Sequence, residues 1–304
     1  MFIIRNRKFF VGLSFALMIL SFVSLAVYGF KPGIEFKGGA LTEVYYVDGR
    51  PDVSTLETSI GQTAIKDAHI QPTGTDGYIV KTRDITEKER QDLFNALSLD
   101  GKIKADEKSF TTIGPSVGKE LARKAVVAVV AVILVIMTFI AYAFRHVSEP
   151  VSSWKYGMIT MVALLHDVAI PAGLFALITH FKGVEVDTLF VVALLTILGL
   201  SISDTIVVFD RIRENLKNNY DRRTNETFEY TVGQSISQTF TRSINTSLTV
   251  ILVLIALLIW GPETTRYFAL TMTAGMFFGT YSSIFLASPL LVMIQEWQDR
   301  KKNK

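Results

Sequence analysis

His166 and Asp167 stand side by side in one long apolar stretch, Asp204 lies in the next, and Arg242 in the one after that. If these stretches cross a membrane, each ionisable group sits in hydrocarbon at a cost of a few kcal/mol and needs a partner or a task. A carboxylate in such a place can take up and release a proton, or be fixed in an ion pair by a guanidinium. An adjacent His and Asp can share a proton or only satisfy each other's polar atoms. Other chemistry is poorly provided for. The chain has no cysteine, which removes disulfides, thiolate nucleophiles and Cys-based zinc sites together. Its four histidines, His69, His146, His166 and His180, lack metal-ligand spacing. The net charge is only +3, and no basic strip interleaved with aromatics marks a nucleic-acid surface.

The elements carrying these groups have a consistent pattern. Ser201, Asp204 and Thr205 share one helical face, with Thr196 two turns back. On the next stretch Gln238, Thr239, Arg242, Asn245, Thr246 and Thr249 recur at steps of three and four. Asp204 precedes the charged residue Asp210 by six positions, which puts it roughly 9 Å inside that boundary. Arg242 lies about as deep from the same side, so antiparallel neighbours would bring the two charges to one level, where they can pair. A polar stripe inside a bundle suits a water-filled or proton-relaying path; it also suits a static ion pair or hydrogen-bonded glue. The residues alone leave both readings open, as they do for His166 and Asp167. Gly275, Gly279, Ser283 and Ala287 form a small-xxx-small ladder that lets another helix approach closely.

Six stretches are long and apolar enough to cross a hydrocarbon core of about 30 Å: 9–29, 121–144, 156–179, 186–209, 236–260 and 267–294. They account for a chain that is 49% hydrophobic over 304 residues. The first follows Arg5, Arg7 and Lys8 like a secretory signal. Its run is longer than a signal core, and no small-x-small cleavage site precedes Lys31, so it reads as a retained anchor. Basic residues collect before span one, between two and three, between four and five, and at the chain end, whereas the opposite short loops hold only Lys182 and Arg266. The positive-inside rule then makes both termini cytoplasmic. Asp210–Asn215 reads as a solvated helix end, and the charged loop beyond it as a possible amphipathic surface helix.

That topology leaves residues 30–120 outside as a folded domain, between the anchor at 1–29 and a five-helix region at 121–304. Strand-like 40–47, helical 52–66, the hairpin 69–73 and 78–81 around Gly74–Gly77, a capped helix from Thr86, and a last strand within 102–113 give the order β-α-β-β-α-β. This is the order of a ferredoxin-like split βαβ. Gly33, Phe36, Gly38 and Gly39 lack the Lys-Ser/Thr ending of a phosphate loop and mark a tight turn. With Gly114 they join the domain to the spans at positions suited to hinges. The expected fold is a polytopic α-helical membrane protein with six transmembrane helices and one extracytoplasmic ferredoxin-like α+β domain.

Several strings, taken in order, resemble the SecD/SecF family of protein-export membrane proteins. Gly33-Ile34-Glu35-Phe36-Lys37-Gly38-Gly39 is similar to its Asp/Glu-Phe-x-Gly-Gly signature, and Ile113–Gly118 to the exit from its outer domain. His166-Asp167-Val168 matches its third span, residues 198–215 its most diagnostic block, and Gly279–Ser283 its last-span motif. Ile202-Ser203 departs where the family often has Asn before the Asp, and Glu35 replaces the commoner Asp. The resemblance implies half of a resistance-nodulation-division type bundle, with a SecD subunit as the other half. It implies further partners in the SecYEG translocon, SecA and a preprotein, no cofactor, and protons as coupling ion. Asp204 would carry the proton and Arg242 would stabilise its carboxylate; His166 and Asp167 would belong to the same pathway. No bond in the substrate would be broken. An exporter of small molecules in the same superfamily usually carries both halves in one chain. An intramembrane aspartyl protease would need Asp167 and Asp204 in Tyr-Asp and Gly-x-Gly-Asp contexts, which they lack. A purely structural translocon subunit would have little use for buried charges.

Overall fold

Long runs rich in Leu, Ile, Val, Phe and Ala leave the backbone no partner in lipid except its own i−4 carbonyls, so the apolar stretches are helical. The computed structural model describes residues 2–145, 152–224 and 226–302; His146 and Lys304 fall outside them. Among the described residues the membrane-length helices are α1 (Arg7–Tyr28), α4 (Pro115–Ala143), α5 (Ser153–Lys182), α6 (Thr188–Asp221), α7 (Phe228–Trp260) and a last span made of α8 (Glu263–Ser282), a π-helical turn (Ser283–Ala287) and α9 (Ser288–Lys302). Helices α2 and α3 belong to the small domain below. Six spans are thus long and apolar enough to cross a bilayer, as the sequence indicates, and the chain is a multi-pass membrane protein.

Helix α6 continues unbroken through Asp210–Asn215 to Asp221, so the charged segment forms no separate surface helix. Side chains from α7 explain the extension: Asn215 donates to Ser235 Oγ and Gln238 Oε1, both at 2.8 Å, and Arg211 donates to Gln238 Oε1 at 2.6 Å. At the same end Arg7 pairs with Glu229 of α7 at 2.9 Å and with Glu296 of α9.

The small domain sits at the opposite end. Its elements are β1 (Gly39–Tyr46), α2 (Val53–Gly61), β2 (His69–Thr73), β3 (Gly77–Thr82), α3 (Glu87–Leu97) and β4 (Ala105–Ile113). The sheet order β2-β3-β1-β4, antiparallel throughout, is the ferredoxin-like arrangement. Alternate β1 residues Ala40 and Val44 face inward with Val80, against Leu56 and Ile60 of α2 and Leu93 and Leu97 of α3. Thr86 and Glu89 close the capping box that starts α3.

Backbone proximity fastens this domain to the spans. Gly33 N–H donates to Val186 O and Val186 N–H to Lys31 O, each at 2.8 Å. A Cβ on Gly38 (φ +86°) would come within 2.7 Å of Pro115 Cα, and one on Gly39 (φ +149°) within 2.5 Å of Thr82 O. Glycine at these two positions is therefore required by conformation and by space. Gly114 has open space around it and an ordinary φ of −63°. Phe36 is buried in one apolar cluster with Phe175, Val186 and Phe190.

Candidate functional site

The small-residue ladder fixes how close the last span comes to α6. A Cβ on Gly275 would lie 2.2 Å from Ile197 Cδ1, and one on Gly279 would lie 3.0 Å from Ser201 Cβ. Ser283 and Ala287 are buried one and two turns further on, in the π-helical turn. With no side chain at Gly275 and Gly279, Thr280 and Ser282 reach groups on the neighbouring helices. Those groups are the two carboxylates.

Asp204, on α6, is 8% exposed. Its Oδ2 accepts from Ser247 Oγ of α7 at 3.0 Å and from Thr280 Oγ1 of α8 at 3.5 Å, and the two hydroxyls are bonded to each other. Ser247 ends a buried line of hydroxyls, Ser235, Thr239, Ser243 and Ser247, spaced by four along α7. The spacing is visible in the sequence, but short hydroxyl residues blend with apolar neighbours, and the more polar stripe beside them draws attention first.

That neighbouring stripe faces elsewhere. Gln238, Arg242, Asn245, Thr246 and Thr249 are exposed on the surface of this chain; Thr239 alone of the set turns inward. Arg242 makes no ion pair with Asp204 or with any other described carboxylate. The expected pairing is thus corrected. Ser247 is the residue of α7 that meets Asp204, and Arg242 precedes it by five residues, about 7.5 Å along the helix and about 140° around it. Arg242 lines a groove of about 450 Å³ with Asp210, Arg211, Glu214 and Gln238.

Asp167, on α5, is fully enclosed at 0% exposure. Its Oδ1 lies 2.8 Å from His166 Nδ1, and its Oδ2 accepts from Ser282 Oγ of α8 at 2.8 Å and from Ser201 Oγ of α6. The His166 ring lies between Tyr281 and Phe278, and its Nε2 has no hydrogen-bond partner among the described residues. Asp167 and Asp204 therefore stand in separate sets of hydroxyls.

A third charged group lies where the small domain meets the spans. Glu185, in the α5–α6 loop, pairs with Lys37 at 3.0 Å and with Lys81 of β3 at 3.1 Å. Burial opposes its charge, but the two lysines outweigh burial and hold its carboxyl below the usual range. Glu35 nearby is pushed up by burial, against a partial offset from backbone hydrogen bonding.

Residues 95–297 match the family model described as Protein export membrane protein SecD/SecF, C-terminal. The chain is 38% identical to the protein translocase subunit SecF of Thermobaculum terrenum, over 98% of this chain and 94% of that one. It is 35% identical to the protein translocase subunit SecDF of Thermus thermophilus, over 90% of this chain and 35% of that longer protein. A crystal structure of SecDF, a translocon-associated membrane protein from Thermus thermophilus, superposes with a TM-score of 0.80 at 33% identity, covering 97% of this chain. The chain spans only 38% of that structure.

Proposed function

Since the chain belongs to the SecD/SecF family of protein-export membrane proteins, we propose that it is an accessory subunit of the Sec preprotein translocase that uses the proton motive force to promote export. Asp204 is the proton carrier. The observation that carries this reading is its set of partners: a carboxylate inside a membrane span, held among the described residues by the hydroxyls of Ser247 and Thr280, with no described cation in contact. A permanent ion pair would lock the charge, whereas hydroxyls can donate to the ionised form and accept from the protonated one. One charge crossing 100 mV is worth about 2.3 kcal/mol, enough in kind to bias a domain movement. Protons are the coupling ion, no cofactor takes part, and no covalent bond of the substrate is cut.

The exposed stripe on α7 supports a SecD-type second half. Lipid cannot satisfy Arg242 and Asn245, so a partner helix covers them, and there Arg242 supplies the charge that tunes proton binding. The fused SecDF relative carries additional chain in which such a half can lie. Both termini face the cytoplasm of a bacterial inner membrane and the small domain faces outward, as the basic loops favour. There it meets a preprotein emerging from the SecYEG channel, driven by SecA. The test is Asp204→Asn in vesicles holding the chain with its SecD partner and the translocon. Export should lose its stimulation by a membrane potential while subunit levels hold. Normal, potential-stimulated export would remove the carrier role and leave Asp204 as hydrogen-bonded glue.

A further inference from the structure

Asp167 is buried more deeply than Asp204 yet has no task in the proton cycle above. We propose that it is a positioning residue: its carboxylate clamps α6 and α8 to α5 and thereby sets the hydroxyl donors around Asp204. The proposal rests on the reading of Asp204 as the carrier. Its geometry is specific. Ser201, which donates to Asp167, precedes Asp204 by three residues on α6; Ser282, which also donates, follows Thr280 by two on α8. The clamp therefore holds the two helices that supply the carrier and its weaker donor. Thr280 stands 3.5 Å from Asp204, at the limit of a hydrogen bond, so a slide of a few tenths of an ångström decides whether it engages.

Backbone alone does not fix that slide. Pro171 has no N–H to offer the carbonyl four residues back, which is that of Asp167. The π-helical turn begins immediately after Ser282. Both helices are thus irregular where the clamp joins them. Gly279 against Ser201 removes slack along the line of approach, and the Asp167 bonds restrain motion along the helices. A relay role fits less well. Among the described residues His166 Nε2 meets no onward partner, so a proton shared between His166 and Asp167 has no next described group on that side.

A neutral isostere separates the two roles. Asparagine can offer its carbonyl to Ser201 and Ser282 and its N–H to His166 Nδ1, preserving the clamp without ionising. The measurement is proton uptake against pH in vesicles holding the full chain with its SecD partner. Asp167→Ala should lower the flux by about tenfold or more, as misplacement of reacting groups does. It should also move the midpoint of the pH profile by about half a unit or more, because the donors around Asp204 change. Asp167→Asn should restore flux to within about threefold of the parent, with the parent midpoint. Ser282→Ala, which removes one donor and leaves both carboxylates, should shift the midpoint in the same direction as Asp167→Ala. An Asp167→Asn chain as inactive as Asp204→Asn would overturn the proposal and make Asp167 a carrier itself. Parent flux and midpoint in Asp167→Ala would also overturn it. Conduction by Asp204→Asn in the same vesicles would remove the carrier reading, and the clamp with it.

Discussion

Ser247, and not Arg242, is the residue of α7 that touches Asp204: its hydroxyl donates to Asp204 Oδ2 at 3.0 Å, while Arg242 lies exposed on another face of the same helix. The polar residues of α7 thus serve two directions. A buried line of small hydroxyls lies within the bundle, and an exposed stripe of larger groups is left for a partner. On the proposed function, proton binding at Asp204 would depend on a short-range donor from its own chain and on a longer-range charge whose surroundings the partner would complete.

Removing the hydroxyl and removing the charge should therefore differ in where they are felt. Ser247→Ala leaves Asp204 with its longer bond to Thr280 alone and should destabilise the isolated chain by about 1–2 kcal/mol, the cost of a buried unmet partner. Arg242→Gln should leave the melting temperature of the isolated chain unchanged, because it breaks no ion pair there, yet lower potential-stimulated export by the assembled complex. Melting curves with and without SecD would tell. An equal loss of stability from both variants in the isolated chain contradicts the two-face description.

The ladder on α8 makes a second case. A methyl on Gly275 meets Ile197 at 2.2 Å, so Gly275→Ala must push α8 away from α6 or force Ile197 off its rotamer, at about 1–3 kcal/mol. Ile197→Ala alone should also destabilise, by leaving a cavity. Combined, the two changes should cost less than their sum, since the added methyl occupies part of the vacated space. Additive losses in a double-mutant cycle would mean that the two residues do not meet.

At the junction with the small domain the prediction is a pH dependence. The carboxyl of Glu185 is held below its ordinary value by Lys81 and Lys37, despite the opposing effect of burial. A depressed folded-state pKa gives stability that is fully present above the ordinary glutamate value near 4.3 and is lost as pH falls through the depressed one. Docking of the domain through this residue should accordingly be constant from neutral pH down to about 5 and weaken only in stronger acid. Hydrogen exchange of the β3 amides in the parent and in Glu185→Gln would report it. Loss of protection in the parent between pH 7 and 5, absent from Glu185→Gln, would contradict the assignment.

The spans and the small domain were legible because each rests on a local signal. Apolar length identifies a membrane helix, and Thr86-x-x-Glu89 or Gly74–Gly77 marks a helix start or a hairpin whatever lies around it. The two carboxylates were legible as misplaced charges. Their partners were less so. Which of Arg242 and Ser247 meets Asp204 depends on the rotation of α7 about its axis, and that is set by packing against α6 and α8 rather than by a pattern within α7. Counting reads depth only to within a turn or so, and azimuth not at all. The same limit hid Ser282 as a partner of Asp167, since it required knowing that α5 and α8 are neighbours. The extension of α6 to Asp221 was hidden for a related reason. Its charged residues read as a solvated end, and only the contacts of Arg211 and Asn215 with α7 show why the helix continues.

The proposed use of the proton motive force would act through movement of the small domain, and the junction indicates where that movement would occur. Gly38 and Gly39 are tightly packed against Pro115 and Thr82, so motion confined to those residues would have to break close backbone contacts. Gly114 is unencumbered, and the contacts of Glu185 with Lys81 and of Val186 with Gly33 are polar ones that can break and re-form. The domain should therefore swing as a body with its glycine turn intact, releasing the Lys81–Glu185 contact. The absence of cysteine from the sequence makes the test clean. Lys81→Cys with Glu185→Cys, joined by a short reducible bifunctional cross-linker, should block potential-stimulated export without disassembling the complex, and reductant should restore it. Either cysteine alone, treated identically, should export normally. Undiminished export by the cross-linked pair would show that release of this contact is not part of the cycle.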